Sequence, residues 1–252
     1  MSRIIGGKED ISYNSVDVFF EQRGDSNLKH KYNYVMYLDE HPEVAIERDR
    51  QSKQKIEALL DIRKGMSVLD LGCGVGRWGE LFCRKGTFYM GIDGSKKMIQ
   101  RAEENLSGYE NKKLLVGNLR NVDKVLLSVM ANSQQKFDII FICGVLMYLN
   151  DTDVAAILRM LPSWLKNGGQ ICFIESMAES ERLTLKDIYS KDLKQNYSAI
   201  YRTNKEFLAL MAASLGNRLS LQWDELMDFS DGLQKKREHV TMEHCIVWKA
   251  TK

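Results

Sequence analysis

The run VLDLGCGVGRWGE, from Val68 to Glu80, gathers the residues whose types and spacing can do chemistry. An apolar stretch reaches an acid, Asp70. Glycines then stand at every second position, Gly72, Gly74 and Gly76, with Cys73 between the first two, and helix-like sequence follows. Glycine lets a chain turn sharply and lets a ligand approach the backbone more closely than a Cβ permits. A strand that stops at such a turn and feeds a helix presents backbone N–H groups to a nucleotide. Gly74, Gly76 and Gly79 also fit G-x-G-x-x-G, the spacing of dinucleotide sites.

The elements that must position this loop follow from periodicity. Ala45 to Asp61 reads as a helix with Ile56, Leu59 and Leu60 on one face, and Gly65 leads into the first strand. After the loop, Gly79 to Arg84 makes a short helix. Thr87 to Asp93 is a second buried strand ending in an acid. Gly94 and Ser95 supply a turn and an N-cap for a helix bearing Met98, Ile99, Ala102 and Leu106. Lys113 to Gly117 is a third strand, followed by Asn118, Leu119 and a helix bearing Val122, Val125, Leu126, Val129 and Met130. Phe137 to Cys143 is a nearly unbroken apolar run, as a parallel strand covered on both faces requires.

Gly144 to Asn150 is a loop. Asp151 or Thr152 caps the next helix, Pro162 kinks or breaks it, and Asn167-Gly168-Gly169 ends it as a left-handed cap. Gln170 to Glu175 is the fifth strand. Thr203 to Glu206 is a capping box opening a helix that Gly216 stops. Leu219–Leu226 and Cys245–Ala250 complete seven strands. Strands alternating with helices give an α/β, doubly wound, mainly parallel sheet. Right-handed crossovers place the strand C-terminal ends on one edge, where ligands bind. Asp70, Asp93, Asn118, Cys143 and Glu175 are therefore expected to line one crevice.

A carboxylate before the glycines repels a pyrophosphate and attracts a cationic ligand. S-adenosylmethionine carries a sulfonium and an ammonium group. A dinucleotide dehydrogenase is disfavoured further because no stretch offers a catalytic domain for hydride transfer. Val68 to Gly76 resembles the glycine-loop motif of class I S-adenosylmethionine-dependent methyltransferases. Gly91 to Ser95, Phe137 to Cys143 continuing through Leu146 to Leu149, and Leu165 to Gly169 resemble further motifs of that family in order and spacing.

The resemblance covers residues 55–175 and implies a Rossmann-like sheet with an antiparallel last strand. It implies that Asp70 and the Gly72 to Gly76 backbone hold the methionine portion of S-adenosylmethionine. Asp93, with Gly94, would bind the ribose. Asn118, standing where many relatives have Asp, and the Leu119 amide would read the adenine edge. Met98 would pack on adenine, and the Cys143 carbonyl would face the ammonium group.

Methyl transfer is an in-line displacement, so the protein aligns the reactants and excludes water. A hydroxyl acceptor also needs a base, and Glu175 and Tyr148 are the expected catalytic residues. Tyr34, Tyr148, Tyr201 and Arg202 are expected to shape the acceptor pocket. Residues 1–45, rich in aromatics such as Phe19, Phe20, Tyr32 and Tyr37, read as a lid on a domain spanning 46–252, with an insertion over the crevice at 176–202. The basic run Lys235-Lys236-Arg237, after Asp231-Gly232, reads as a surface loop.

With 36 basic and 34 acidic residues the net charge is +2, which demands neither nucleic acid nor an anionic membrane as partner. A small molecule is therefore the expected substrate. Cys73, Cys83, Cys143, Cys172 and Cys245 show no paired spacing and read as free buried thiols of a cytoplasmic protein. The four histidines make no metal motif, so no metal is expected. The fourth-strand loop lacks the Asn-Pro-Pro-aromatic pattern used on exocyclic amines of nucleobases. Phe19 to Gly24, Tyr32 to Tyr37 and Glu43 to Arg48 resemble methyltransferases of polysaccharide and natural-product pathways. The resemblance implies O- or N-methylation of a sugar or sugar-bearing metabolite. The alternatives are the dehydrogenase and a non-catalytic subunit that keeps the fold.

Overall fold

The computed structural model describes residues 2–129, 135–217, 219–227 and 241–250. Met130 and the run Lys235 to Arg237 lie outside them. A short strand β1 (Ser2–Ile5) precedes helices α1 (Tyr13–Asp25), α2 (Asn33–Met36) and α3 (Pro42–Leu59). The alternating part follows: β2 (Ser67–Leu71), α4 (Arg77–Arg84), β3 (Phe88–Asp93), α5 (Lys96–Asn105), β4 (Lys112–Val116), α6 (Val122–Val129) and β5 (Phe137–Cys143). Then come α7 (Asp151–Trp164), β6 (Leu165–Ala178), β7 (Leu183–Ser190), β8 (Gln195–Tyr201), α8 (Asn204–Leu215), β9 (Leu219–Leu226) and β10 (Thr241–Ala250).

Seven strands form one sheet in the order β4-β3-β2-β5-β6-β10-β9. β10 runs antiparallel to both its neighbours, and β2 to β6 pair parallel. The order reverses between β2 and β5, where a crevice opens in doubly wound sheets. Apolar side chains of the central strands fill both faces. Leu69, Leu71, Ile140, Ile142 and Phe173 pack towards α7 and α8, while Val68, Ile139, Phe141 and Cys172 pack towards α3 and α4. Burial on both faces explains the nearly continuous apolar runs.

Several boundaries differ from those expected. Asn150, rather than Asp151 or Thr152, is the N-cap of α7, and its side chain bonds Ile11 instead of the helix. Pro162 lies within α7, which stops two residues later at Trp164. Gly168 is left-handed at φ 73° but caps no helix. It lies in an irregular start of β6, between Leu165, paired with Phe137, and Gln170, paired with Ile139. The Ser95 cap and the Thr203–Glu206 capping box are both formed.

β1, β7 and β8 make a separate three-stranded antiparallel sheet that sequence patterning did not reveal. Its buried face carries Leu183, Leu185, Tyr197 and Ala199 against Ile11, Val16 and Phe19. Among the described residues no helix is long and apolar enough to cross a membrane.

Gly79 shows how tightly the glycine-loop helix seats on the sheet. A Cβ there would lie 2.7 Å from the Tyr89 ring and 2.8 Å from Leu106. Gly79→Ala should therefore cost about 1–3 kcal/mol of unfolding free energy by overpacking. Urea titration with an unchanged m-value checks this; a change within about 0.5 kcal/mol would show that the contact relaxes freely.

Candidate active site

The backbone around Gly72 is shaped by hydrogen bonds to β3. The N–H groups of Gly72 and Cys73 both donate to the Ile92 carbonyl, at 2.7 and 3.0 Å. Gly72 and Gly74 have φ of 79° and 53°, which glycine adopts without strain. Asp93, ending β3, ties the loop down. Its Oδ2 accepts from the Gly74 N–H at 2.8 Å and its Oδ1 from the Ser95 N–H at 2.9 Å. Burial pushes its carboxyl up to about 6, opposed by those two N–H groups. The remaining lone pairs of Asp93 are available to ligand hydroxyls.

A cavity of about 310 Å³ runs along this edge of the sheet. Gly72, Cys73, Gly74, Asp93, Gly94, Met98, Asn118, Leu119 and Cys143 all line it. That stretch is a strip of backbone and small groups ending in a carboxylate. It fits a nucleoside with a short zwitterionic arm, the shape of S-adenosylmethionine. The Asn118 Oδ1 is shared by Arg120, whose backbone N–H and Nε donate at 3.0 and 3.1 Å.

Four expected site residues lie elsewhere, and so does Gly76. Asp70 is 1% exposed and accepts from the Tyr89 hydroxyl at 2.6 Å. Burial pushes its carboxyl up to about 7. It is one residue short of the end of β2, so it stays within the sheet and does not line the cavity. Glu175 is likewise internal, because β6 runs on to Ala178. Its Oε1 accepts from the Val145 and Leu146 N–H groups, both at 3.0 Å.

Tyr34 turns away from the cavity. Its hydroxyl donates to Ser26 O and accepts from Leu28 N, and Arg101 stacks on its ring. One turn of α2 instead directs Val35 and Met36 inward, with Tyr37 following. Arg202 is buried against Asp151 and the carbonyls of Leu146 and Leu149. Gly76 does not line the cavity; a Cβ there would meet Leu106 and Ala102, so it lets α4 close on α5.

Tyr148 and Tyr201 do line the cavity, within a cluster that includes Tyr37 and Tyr197. Their hydroxyls form a chain, Tyr201 to Tyr197 at 2.7 Å, Tyr197 to Tyr148 at 3.3 Å and Tyr148 to Tyr37 at 2.7 Å. Phe20 meets the Tyr148 ring edge-on at 4.8 Å between centroids. Burial raises the Tyr148 and Tyr197 hydroxyls well above the ordinary phenol range, so they stay protonated. Sequence reasoning missed Tyr197: four residues before Tyr201 is the same face only once residues 195–201 are known to form a strand.

Charged residues at a further part of the cavity carry no sequence motif. Arg77, 7% exposed, bonds the Asp49 carboxylate at 3.2 Å and the Cys143 sulfur at 3.5 Å. Asp49 also holds Lys53 at 2.8 Å. Glu243, on β10, is raised by burial, which Arg77 and Arg48 oppose. Over the opposite side lies α1, held by bonds from Arg101 to the Gly24 and Ser26 carbonyls and from the Tyr13 hydroxyl to Asp153. Among the described residues no cluster of His, Cys, Asp and Glu could hold a metal ion.

A family model described as a methyltransferase domain matches residues 62–236. A phosphoethanolamine N-methyltransferase of Triticum aestivum is 30% identical over 132 residues, covering 52% of this chain and 25% of that enzyme. A ubiquinone biosynthesis O-methyltransferase of Pelagibacter ubique is 34% identical over 115 residues, covering 45% of this chain and 43% of that enzyme. The chain thus matches about a quarter of the length of the wheat enzyme. Among solved structures, Haemonchus contortus phosphoethanolamine N-methyltransferase 1, in complex with phosphoethanolamine and S-adenosylhomocysteine, superimposes with a TM-score of 0.69. It is 18% identical, over 94% of this chain and 48% of that one. With the seven-stranded sheet, the glycine loop and Asp93 in place, this chain belongs to the class I S-adenosylmethionine-dependent methyltransferases.

Proposed function

We propose that the chain transfers a methyl group from S-adenosylmethionine to the nitrogen of a small amine. When bound, the cofactor supplies a methyl group activated by its sulfonium. Asp93 would accept from its ribose hydroxyls, Asn118 and Leu119 would meet its adenine edge, and the Gly72 to Gly74 backbone would support its methionine arm. Asp70 is given no ligand role.

The relatives named for phosphoethanolamine carry the choice of acceptor, and neither residue expected to act as a base is suited to serve a hydroxyl. Glu175 lies outside the cavity. Tyr148 lies inside it, but with its hydroxyl held protonated, and so it donates rather than removes a proton. A hydroxyl acceptor must lose its proton as the new bond forms, whereas an ammonium can lose its proton to water beforehand and then attack through the freed lone pair. The product ammonium would lie among the aromatic rings of Phe20, Tyr148 and Tyr197, where a ring face turned to it is worth about 0.5–2 kcal/mol. The relatives named for phosphoethanolamine support an amine, and make phosphoethanolamine the first acceptor to test. The sugar acceptor expected from the N-terminal stretch gains no support from the relatives' names.

A methyl-transfer assay over phosphoethanolamine, ethanolamine, amino sugars and phenols checks this. N-methylated product is expected; methylation on oxygen alone would overturn the amine reading. Tyr148→Phe should lower kcat/KM by about tenfold or more, with cofactor affinity within about twofold.

Asp93→Ala should weaken S-adenosylmethionine more than tenfold, about 1.4 kcal/mol or more, by calorimetry. Ribose hydroxyls donate best to the ionised carboxylate. Affinity should therefore fall as pH drops through about 6, as the Asp93 carboxyl takes up its proton. A flat profile from pH 5 to 8 would contradict the ribose assignment.

A further inference from the structure

Glu175 and Arg202 are charged, almost fully buried, and outside the cavity, at 3% and 4% exposure. Both grip the same piece of chain. Leu146 to Tyr148 form a single 3-10 turn between β5 and α7. So short a turn leaves its leading N–H and trailing C=O groups without internal partners. Glu175 takes the Val145 and Leu146 N–H groups at its start, each at 3.0 Å. At its end Arg202 donates to the Leu149 carbonyl at 2.7 Å, and it also donates at 2.9 Å to the Leu146 carbonyl, which accepts the turn's own bond from the Leu149 N–H.

We propose that Glu175 and Arg202 are positioning residues for the methyl acceptor, fixing the 146–148 turn and, through it, the Tyr148 hydroxyl. The inference rests on the methyl-transfer reading above. Arg202 follows β8 directly, the strand carrying Tyr197 and Tyr201. It is fixed in turn by Asp151, with Nε to Oδ1 at 2.8 Å. One guanidinium therefore joins the turn bearing Tyr148 to the strand bearing its hydrogen-bond partner Tyr197. The Tyr148 to Tyr197 bond closes that circuit.

The second oxygen of Glu175 shows why this side chain is not a base. Oε2 is buried without a hydrogen-bond partner among the described residues. Burial pushes the Glu175 carboxyl up to about 7, opposed by the turn's N–H groups and Arg202. A proton held on Oε2 leaves Oε1 free to accept both N–H bonds, so the clamp works in either state. A glutamine carbonyl can accept the same two bonds. An acceptor misplaced by about 1 Å can cost on the order of a hundredfold in rate.

The test uses the full chain and the variants Glu175→Ala, Glu175→Gln, Tyr148→Phe and Glu175→Ala/Tyr148→Phe. Amide hydrogen exchange over residues 144–149 reports on the clamp without substrate. Exchange should quicken at least tenfold in Glu175→Ala and stay within threefold of wild type in Glu175→Gln. In the methyl-transfer assay, Glu175→Ala should lower kcat/KM for the amine at least tenfold, and Glu175→Gln should retain it within threefold. If Glu175 acts through Tyr148, the double variant is no slower than Tyr148→Phe alone.

Unchanged exchange in Glu175→Ala would overturn the clamp. Additive rate losses would overturn its action through Tyr148. Equal inactivity of the Gln and Ala variants, with wild-type exchange in Gln, would restore Glu175 as a base. If wild type methylates no amine, the functional reading fails, while the exchange data still judge the clamp. Should Glu175→Ala not fold, Arg202→Lys replaces it, with the same loss of protection and non-additivity with Tyr148→Phe expected and the same results overturning the clamp.

Discussion

Among the described residues the Asp93 carboxylate has no cationic partner in its hydrogen-bond shell, and the rest of the site is built around that. Two backbone N–H groups, from Gly74 and Ser95, hold it. These bonds fix the glycine loop to the end of β3 and set the start of α5, whose first turn Ser95 then caps. A carboxylate satisfied only by backbone keeps acceptor capacity for a ligand, whereas one locked in an ion pair would have spent it. The cost is a raised proton affinity from burial.

Two parts of the cavity use opposite chemistry, apart from the charged groups Arg77 and Glu243. Where the cofactor is expected, the lining is backbone, small side chains and one carboxylate. Where the acceptor is expected, it is aromatic, with protonated hydroxyls bonded to one another. A hydroxyl chain of this kind spends most of its hydrogen-bonding capacity internally, which fixes ring positions and leaves ring faces to the ligand. The charged network of Asp49, Lys53, Arg77 and Glu80 is packed between α3 and α4, where it holds the helix that follows the glycine loop. The pairs of Asp49 with Lys53 and Arg77 are shielded from water and so depend on geometry more than on screening, while Glu80 is partly exposed.

The order of elements, the central sheet and the glycine loop were legible because each rests on a local pattern. Apolar runs, a Gly-rich break and two caps say where strands and helices meet. The three-stranded sheet was not, because β1 is four residues long and pairs with a strand some 180 positions away. Its opposite face is buried in part as well, with polar Thr184 and Ser198, so burial does not follow a simple apolar and polar alternation. The Arg77–Asp49 pair was hidden for a related reason: each residue looks like part of a solvated helical face until α3 and α4 meet.

Strand length decides which polar strand-end residue meets a ligand. Asp93 and Cys143 are the last residues of β3 and β5, and both line the cavity. Asp70 and Glu175 look equivalent in sequence, each closing an apolar run. β2 continues one residue past Asp70, and β6 continues three past Glu175. One residue turns a side chain to the other face of a sheet, and three bury it beneath the next loop. Asp70 thereby becomes a partner of Tyr89, and Glu175 a support for the turn that carries Tyr148. The same residue type in the same motif serves ligand or scaffold according to where the ladder of backbone bonds stops. Sequence shows that point only approximately, because the residues that extend β6, Ser176 to Ala178, are held by pairing with β10, more than sixty positions downstream.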